Sequence, residues 1–144
     1  MSNAHANVRR PCAAPKSLIS GAEGRRRGGT VPGFPNLFIS SAPNYSPGHG
    51  AGHNFGVEVF THYVMECLQL LANQGGRTIE VTAAAHEAYV ADIDATMAGT
   101  VWCHTPTAHT YYRSGGRIVT AFPYRLVDVW HGHRAPVESD FAVR

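Results

Sequence analysis

The sequence predicts an α+β fold, and three observations carry that prediction. Two stretches, one from Val57 to Leu71 and one from Ala85 to Met97, space their apolar residues at threes and fours, as one face of a helix does. Short β-rich runs lie before, between and after them, bounded by glycine, proline and asparagine. No internal repeat is visible, so the elements describe one small unit.

Taken in order, Leu37, Phe38 and Ile39 form an apolar run between Pro35-Asn36 and Pro43-Asn44, which predicts a buried core strand. The loop that follows, residues 44–54, holds Gly48, Gly50 and Gly52, where backbone can turn tightly or approach a ligand. It leads into a helix whose first N–H groups lack partners within the helix, so a polar or anionic group is expected there. In that helix Val57, Phe60, Val64, Cys67, Leu68 and Leu71 share a face, Glu58, His62, Glu66 and Gln69 lie off it, and Gly75-Gly76 ends it. Ile79 and Val81 alternate with polar neighbours and predict a strand over 78–81. Thr82 can cap a second helix whose buried edge is Ala85, Tyr89, Ile93 and Met97, with Asp92 and Asp94 exposed and Gly99 or Thr105-Pro106 stopping it. Ser114-Gly115-Gly116 separates two β-rich segments and reads as a hairpin turn. Pro123 can open a short terminal helix with Leu126, Val127 and Trp130 inward, closed by residues 131–134.

The 144 residues suffice for one domain. Charge divides them at position 27. Residues 1–27 hold six of the twelve basic residues (Arg9, Arg10, Lys16, Arg25, Arg26, Arg27) against one acid, Glu23, whereas residues 28–144 hold six basic and nine acidic residues. The leader lacks the apolar core of a secretory signal and reads as a disordered extension that trypsin should cut first at Arg25–Arg27. An organelle-targeting peptide, a nucleic-acid arm and sequence from an interrupted coding region stay open beside that reading. Aromatic residues for base stacking are missing near the arginines, and no run approaches a membrane span. Cys12, Cys67 and Cys103 show no C-x-x-C spacing, so neither a disulfide framework nor a zinc knuckle is indicated, and a reducing cytoplasm is the default. Cys67 falls on the helix face as packing.

Familiar catalytic patterns are missing. Ser46 has no nucleophile-elbow context, Cys103-His104 has no orienting third group, and Asp92 and Asp94, two apart on a helix, do not face each other. His49 and His53 are four apart, His131 and His133 two apart, and His104 and His109 flank a proline, but the loop around His49 does not provide the H-E-x-x-H arrangement of zinc sites. A His-dependent metal-binding protein and a non-enzymatic interaction module remain as alternatives to an enzyme.

The phrase Val31-Pro32-Gly33-Phe34-Pro35-Asn36-Leu37-Phe38, then Pro43-Asn44 and the glycine-rich start of the helix, resembles the C-terminal region of flavin-dependent Baeyer–Villiger monooxygenases, particularly the hydroxyacetophenone type. Thr100-Val101-Trp102, Tyr111-Tyr112-Arg113, Gly116-Arg117-Ile118-Val119-Thr120 and Arg134-Ala135-Pro136 continue the resemblance in the same order, over roughly residues 28–144. It implies the C-terminal segment of an FAD/NAD(P)-binding α/β fold and, in the intact enzyme, reduction of FAD by NADPH and insertion of an oxygen atom into a ketone to give an ester. Cofactor contact then falls to Asn44, Gly50, Gly52, His53 and Asn54, mostly through backbone, with His53 placed to aim an N–H at the pyrimidine end of the flavin. No catalytic acid, base or nucleophile is assigned. The family's two G-x-G-x-x-G fingerprints are not found, since a frame begun at Gly48 would end at position 53, which is His53. The chain is therefore expected to be the tail of such an enzyme, inactive alone and able to associate with the nucleotide-binding portion it lacks.

Overall fold

A computed structural model of the chain describes residues 28–47, 50, 52–104, 112–114 and 116–144, and the leader and the histidines at 49 and 109 lie outside them. The order is β1 (Ser46–Pro47), α1 (Gly52–Asn73), β2 (Ile79–Val81), α2 (Ala83–Ala98), a 3-10 turn (Val101–Cys103), β3 (Arg113–Ser114), β4 (Arg117–Ile118), β5 (Ala121–Phe122), α3 (Leu126–Gly132), a second 3-10 turn (Glu138–Asp140) and β6 (Phe141–Val143). Helices dominate and the strands pair by twos, an α+β fold as expected. β1 runs parallel to β5, β2 antiparallel to β6, and β3 antiparallel to β4.

α2 follows the sequence reading closely. Thr82 accepts a hydrogen bond from the Ala85 N–H at 3.2 Å, and Ala85, Tyr89, Ile93 and Met97 are the buried residues. Gly99 caps the far end. β2 and the hairpin of β3 and β4 also form where expected, the hairpin pairing Arg113 with Ile118 and Ser114 with Arg117. Asp94 is exposed as predicted and holds Arg117 through both carboxylate oxygens, whereas Asp92 is half-buried because the Tyr124 hydroxyl donates to it.

Three expectations are corrected. Residues 37–39 are not a strand, and Leu37 and Ile39 are 39% and 37% exposed. The segment is held by the turn before it: Asn36, at φ 61°, gives its N–H to the Ile79 carbonyl at 2.9 Å, accepts from the Ile79 N–H at 3.0 Å and donates its side-chain amide to the Arg77 carbonyl at 3.3 Å. Only Phe38 turns inward, against the cluster of Tyr63, Cys67 and Leu70. In α1 the buried residues are Val59, Phe60, Tyr63, Cys67 and Leu70, a face turned by most of one residue step from the one expected, with Leu68 43% exposed. Tyr63 decides this, since an aromatic ring offers more surface to bury than a leucine and it meets the His133 ring edge to face with centroids 5.3 Å apart. α3 begins at Leu126 rather than at Pro123, because Arg125 is still extended and its guanidinium folds onto Asp128 in the first turn. Its inward line is Val129 and then His133, fully buried with Nδ1 2.7 Å from the Val129 carbonyl, which leaves Val127 and Trp130 51% and 40% exposed. Trp130 lies over His62 instead.

The core lies where α1 and α2 meet the strand pairs. Tyr63, Cys67 and Leu70 pack with Ile79, Val81, Ala85 and Phe141, and Val59 packs with Tyr89, Ile93, Phe122 and Val129. Among the described residues, no helix is long and apolar enough to cross a membrane.

Candidate functional site

The start of α1 borders a cleft of about 250 Å3 lined by Ser40, Ser41, Ala42, Tyr45, Gly52, His53, Gly56 and Val57. Two walls make it. One is the first turn of α1, where N–H groups have no carbonyl four residues earlier to accept them, so the helix end carries partial positive charge toward the cleft. The other is residues 40–45, a loop whose Ser40 and Ser41 bring hydroxyls and whose Tyr45 brings an aromatic ring. Gly50 and Gly52 stand at φ 71° and 69°, a region that side chains with a Cβ rarely adopt, so the approach to α1 depends on glycine. A Cβ added at Gly52 or Gly56 would meet nothing within 4 Å, which leaves the helix backbone open on that side.

The residues singled out from the sequence divide. Gly52 and His53 line the cleft together, and Asn54 is exposed on the same first turn. Gly50 stands apart, 3.9 Å from Leu126 at its would-be Cβ. Asn44 belongs to the loop but does not line the cleft; it is buried, with its side-chain amide donating to the carbonyls of Ile118 at 2.7 Å and Ala121 at 3.0 Å. Ser40, Ser41, Tyr45 and Gly56 escaped the sequence reading. Gly56 had a signal, being one helical turn beyond Gly52 and hence on its face. Ser40 and Ser41 had none, because their place depends on contacts made far along the chain.

Electrostatically the cleft is bounded by neutral groups on the loop side. Burial, with Tyr89 close by, raises the pKa of Tyr45 above its ordinary value, so its hydroxyl stays protonated at neutral pH. Among the described residues, no group of three or more His, Cys, Asp or Glu side chains is placed to hold a metal ion.

Over 104 residues, 72% of this chain, the sequence is 31% identical to an uncharacterized monooxygenase, y4iD, of Sinorhizobium fredii. The chain is related to a monooxygenase. The matched stretch spans 16% of that protein's length, so most of the relative has no counterpart here. No family model matches the chain, and no solved structure matches it.

Proposed function

We propose that this chain is the flavin-edge segment of an FAD- and NADPH-dependent monooxygenase of the Baeyer–Villiger type, acting on a ketone. The relationship to a monooxygenase over 104 residues is the observation that carries this reading, and the cleft is compatible with it. At about 250 Å3 it is smaller than the roughly 300–1,000 Å3 of pockets that enclose a drug-sized ligand, so it suits one edge of a flat ring rather than a whole dinucleotide. When bound, FAD supplies the transfer of electrons from NADPH to oxygen. The chain's own part is to bind and orient. The N–H groups of Gly52 and His53 would hold a ring carbonyl that gains negative charge, Ser40 and Ser41 would offer hydroxyls, and Val57 and the Tyr45 ring would add apolar lining. Neither a pyrophosphate cradle nor a second fingerprint for NADPH is found in the sequence, so the isolated chain contacts the flavin weakly and consumes no NADPH.

The test is FAD added to the 15N-labelled chain, followed by NADPH with and without a simple ketone. Expected are shifts of the Gly52, His53 and Gly56 amides only at high FAD concentration, and no NADPH consumption. Tight flavin retention after desalting, turnover, or shifts confined to another surface would overturn the reading.

A second reading has one observation in its favour. Phe34, at 59% exposed, stands with Leu37 and Ile39 on the surface before β1, an apolar group suited to docking against the nucleotide-binding portion as a separate interaction module. Co-elution of the chain with the unmatched remainder of the y4iD monooxygenase, lost in Phe34→Ser, would distinguish it.

A further inference from the structure

The cleft-lining loop is a bridge with two abutments. At one end the Ile39 N–H donates to the Gly29 carbonyl at 2.8 Å, and Gly29 itself is pressed against Phe60 of α1 so closely that a Cβ there would clash. At the other end stands Asn44. Its N–H donates to the Val119 carbonyl at 2.7 Å, and its side-chain amide donates to the carbonyls of Ile118 and Ala121. Three successive bonds therefore fasten the loop to the turn between β4 and β5. Next to Asn44, Tyr45 is wedged edge-on between Phe60, 5.6 Å away, and His133, 5.5 Å away.

We infer that Asn44 is a positioning residue for the cleft: it sets the separation of residues 40–45 from the first turn of α1 by tying that loop to the β4–β5 turn, whatever ligand the cleft holds. Two properties of asparagine are needed at once. The backbone stands at φ 56°, in the left-handed region where asparagine is among the few tolerated residues besides glycine. The side chain must also present two donors to two carbonyls, which aspartate cannot do. The consequence is that the shape of the cleft is set from the hairpin side of the molecule, although none of the described hairpin residues lines it.

Three variants separate the two properties. Asn44→Gly keeps the backbone conformation and removes the amide; Asn44→Ala strains the backbone as well; Asn44→Asp keeps the shape and removes the donors. Amide hydrogen exchange is read at Tyr45 and Val119, whose N–H groups donate to Ala42 and Tyr112, and at Ile93 in the core. For Asn44→Gly and Asn44→Asp the expected result is exchange at Tyr45 and Val119 roughly tenfold or more faster than in the parent, with Ile93 changed much less. If Asn44→Gly exchanges like the parent, only the backbone conformation matters and the inference fails. It fails equally if Ile93 accelerates in step with Tyr45, since the effect would then be global stability.

Discussion

Among the described residues, the hydroxyl of Tyr45 is buried without a hydrogen-bond partner. An unmade bond of that kind costs stability, so Tyr45→Phe should leave the protein as stable as before or steadier by up to about 1 kcal/mol, read by urea unfolding at pH 7. A loss of stability would reveal a partner for the hydroxyl. Burial pushes the Cys67 thiol up to about 12 from 9.0, with a hydrogen bond to Tyr63 opposing and Glu66 adding. A folded-state value above the unfolded one contributes stability that is complete below pH 9 and is lost as pH climbs toward 12. The urea midpoint should therefore hold steady from pH 7 to 9 and fall above it, and Cys67→Ala should flatten that fall while lowering the plateau. In native protein at pH 8, iodoacetamide should label Cys103, which is partly exposed, well before Cys67. Peptide mass spectrometry reads the order.

At the scale of elements, the helices were legible because their signals are local. The four-residue spacing of Ala85, Tyr89, Ile93 and Met97 and the cap at Thr82 need nothing from elsewhere in the chain. Thr82→Ala should cost about 1 kcal/mol, measured as a lower thermal midpoint. The strands were harder. Ile79 pairs with Val143 and Val81 with Phe141, and neither three-residue partner announces the other across so long a separation. Residues 37–39 misled for the complementary reason: three apolar residues in a row suit a strand covered on both faces, and only the Phe38 face is covered. Of the cleft, the glycine wall could be read from spacing, whereas Ser40, Ser41 and Tyr45 take their places from Asn44 and its distant acceptors. β6 and the residue after it carry more than their length suggests, since Phe141 is 8% exposed in the main cluster and the Arg144 carbonyl accepts from the Arg77 and Thr78 N–H groups. Phe141→Ala should cost about 3–5 kcal/mol, enough in a domain this small to broaden or abolish its cooperative transition by near-ultraviolet circular dichroism.

The whole molecule shows water several large apolar side chains, among them Val101 at 71%, Phe34 at 59% and Met65 at 58%. Separate exposed residues are ordinary, but this many on a small protein favour self-association. Light scattering of the isolated chain should rise with concentration, and the double change Phe34→Ser with Met65→Gln should suppress that rise with little effect on the unfolding midpoint. Unchanged scattering would place the sticky surface elsewhere. Time enters through Asn44. Its two carbonyl acceptors lie 74 and 77 residues further along the chain, so on a ribosome adding about 5–20 residues per second they are made roughly 4–15 s after Asn44 itself, by which time α1 could already have begun to coil. Pairings between such distant parts of a chain are also the slow ones to close. The helix start is an early product of synthesis and the cleft beside it a late one, so a nascent chain halted short of residue 121 would present the glycines with no opposite wall.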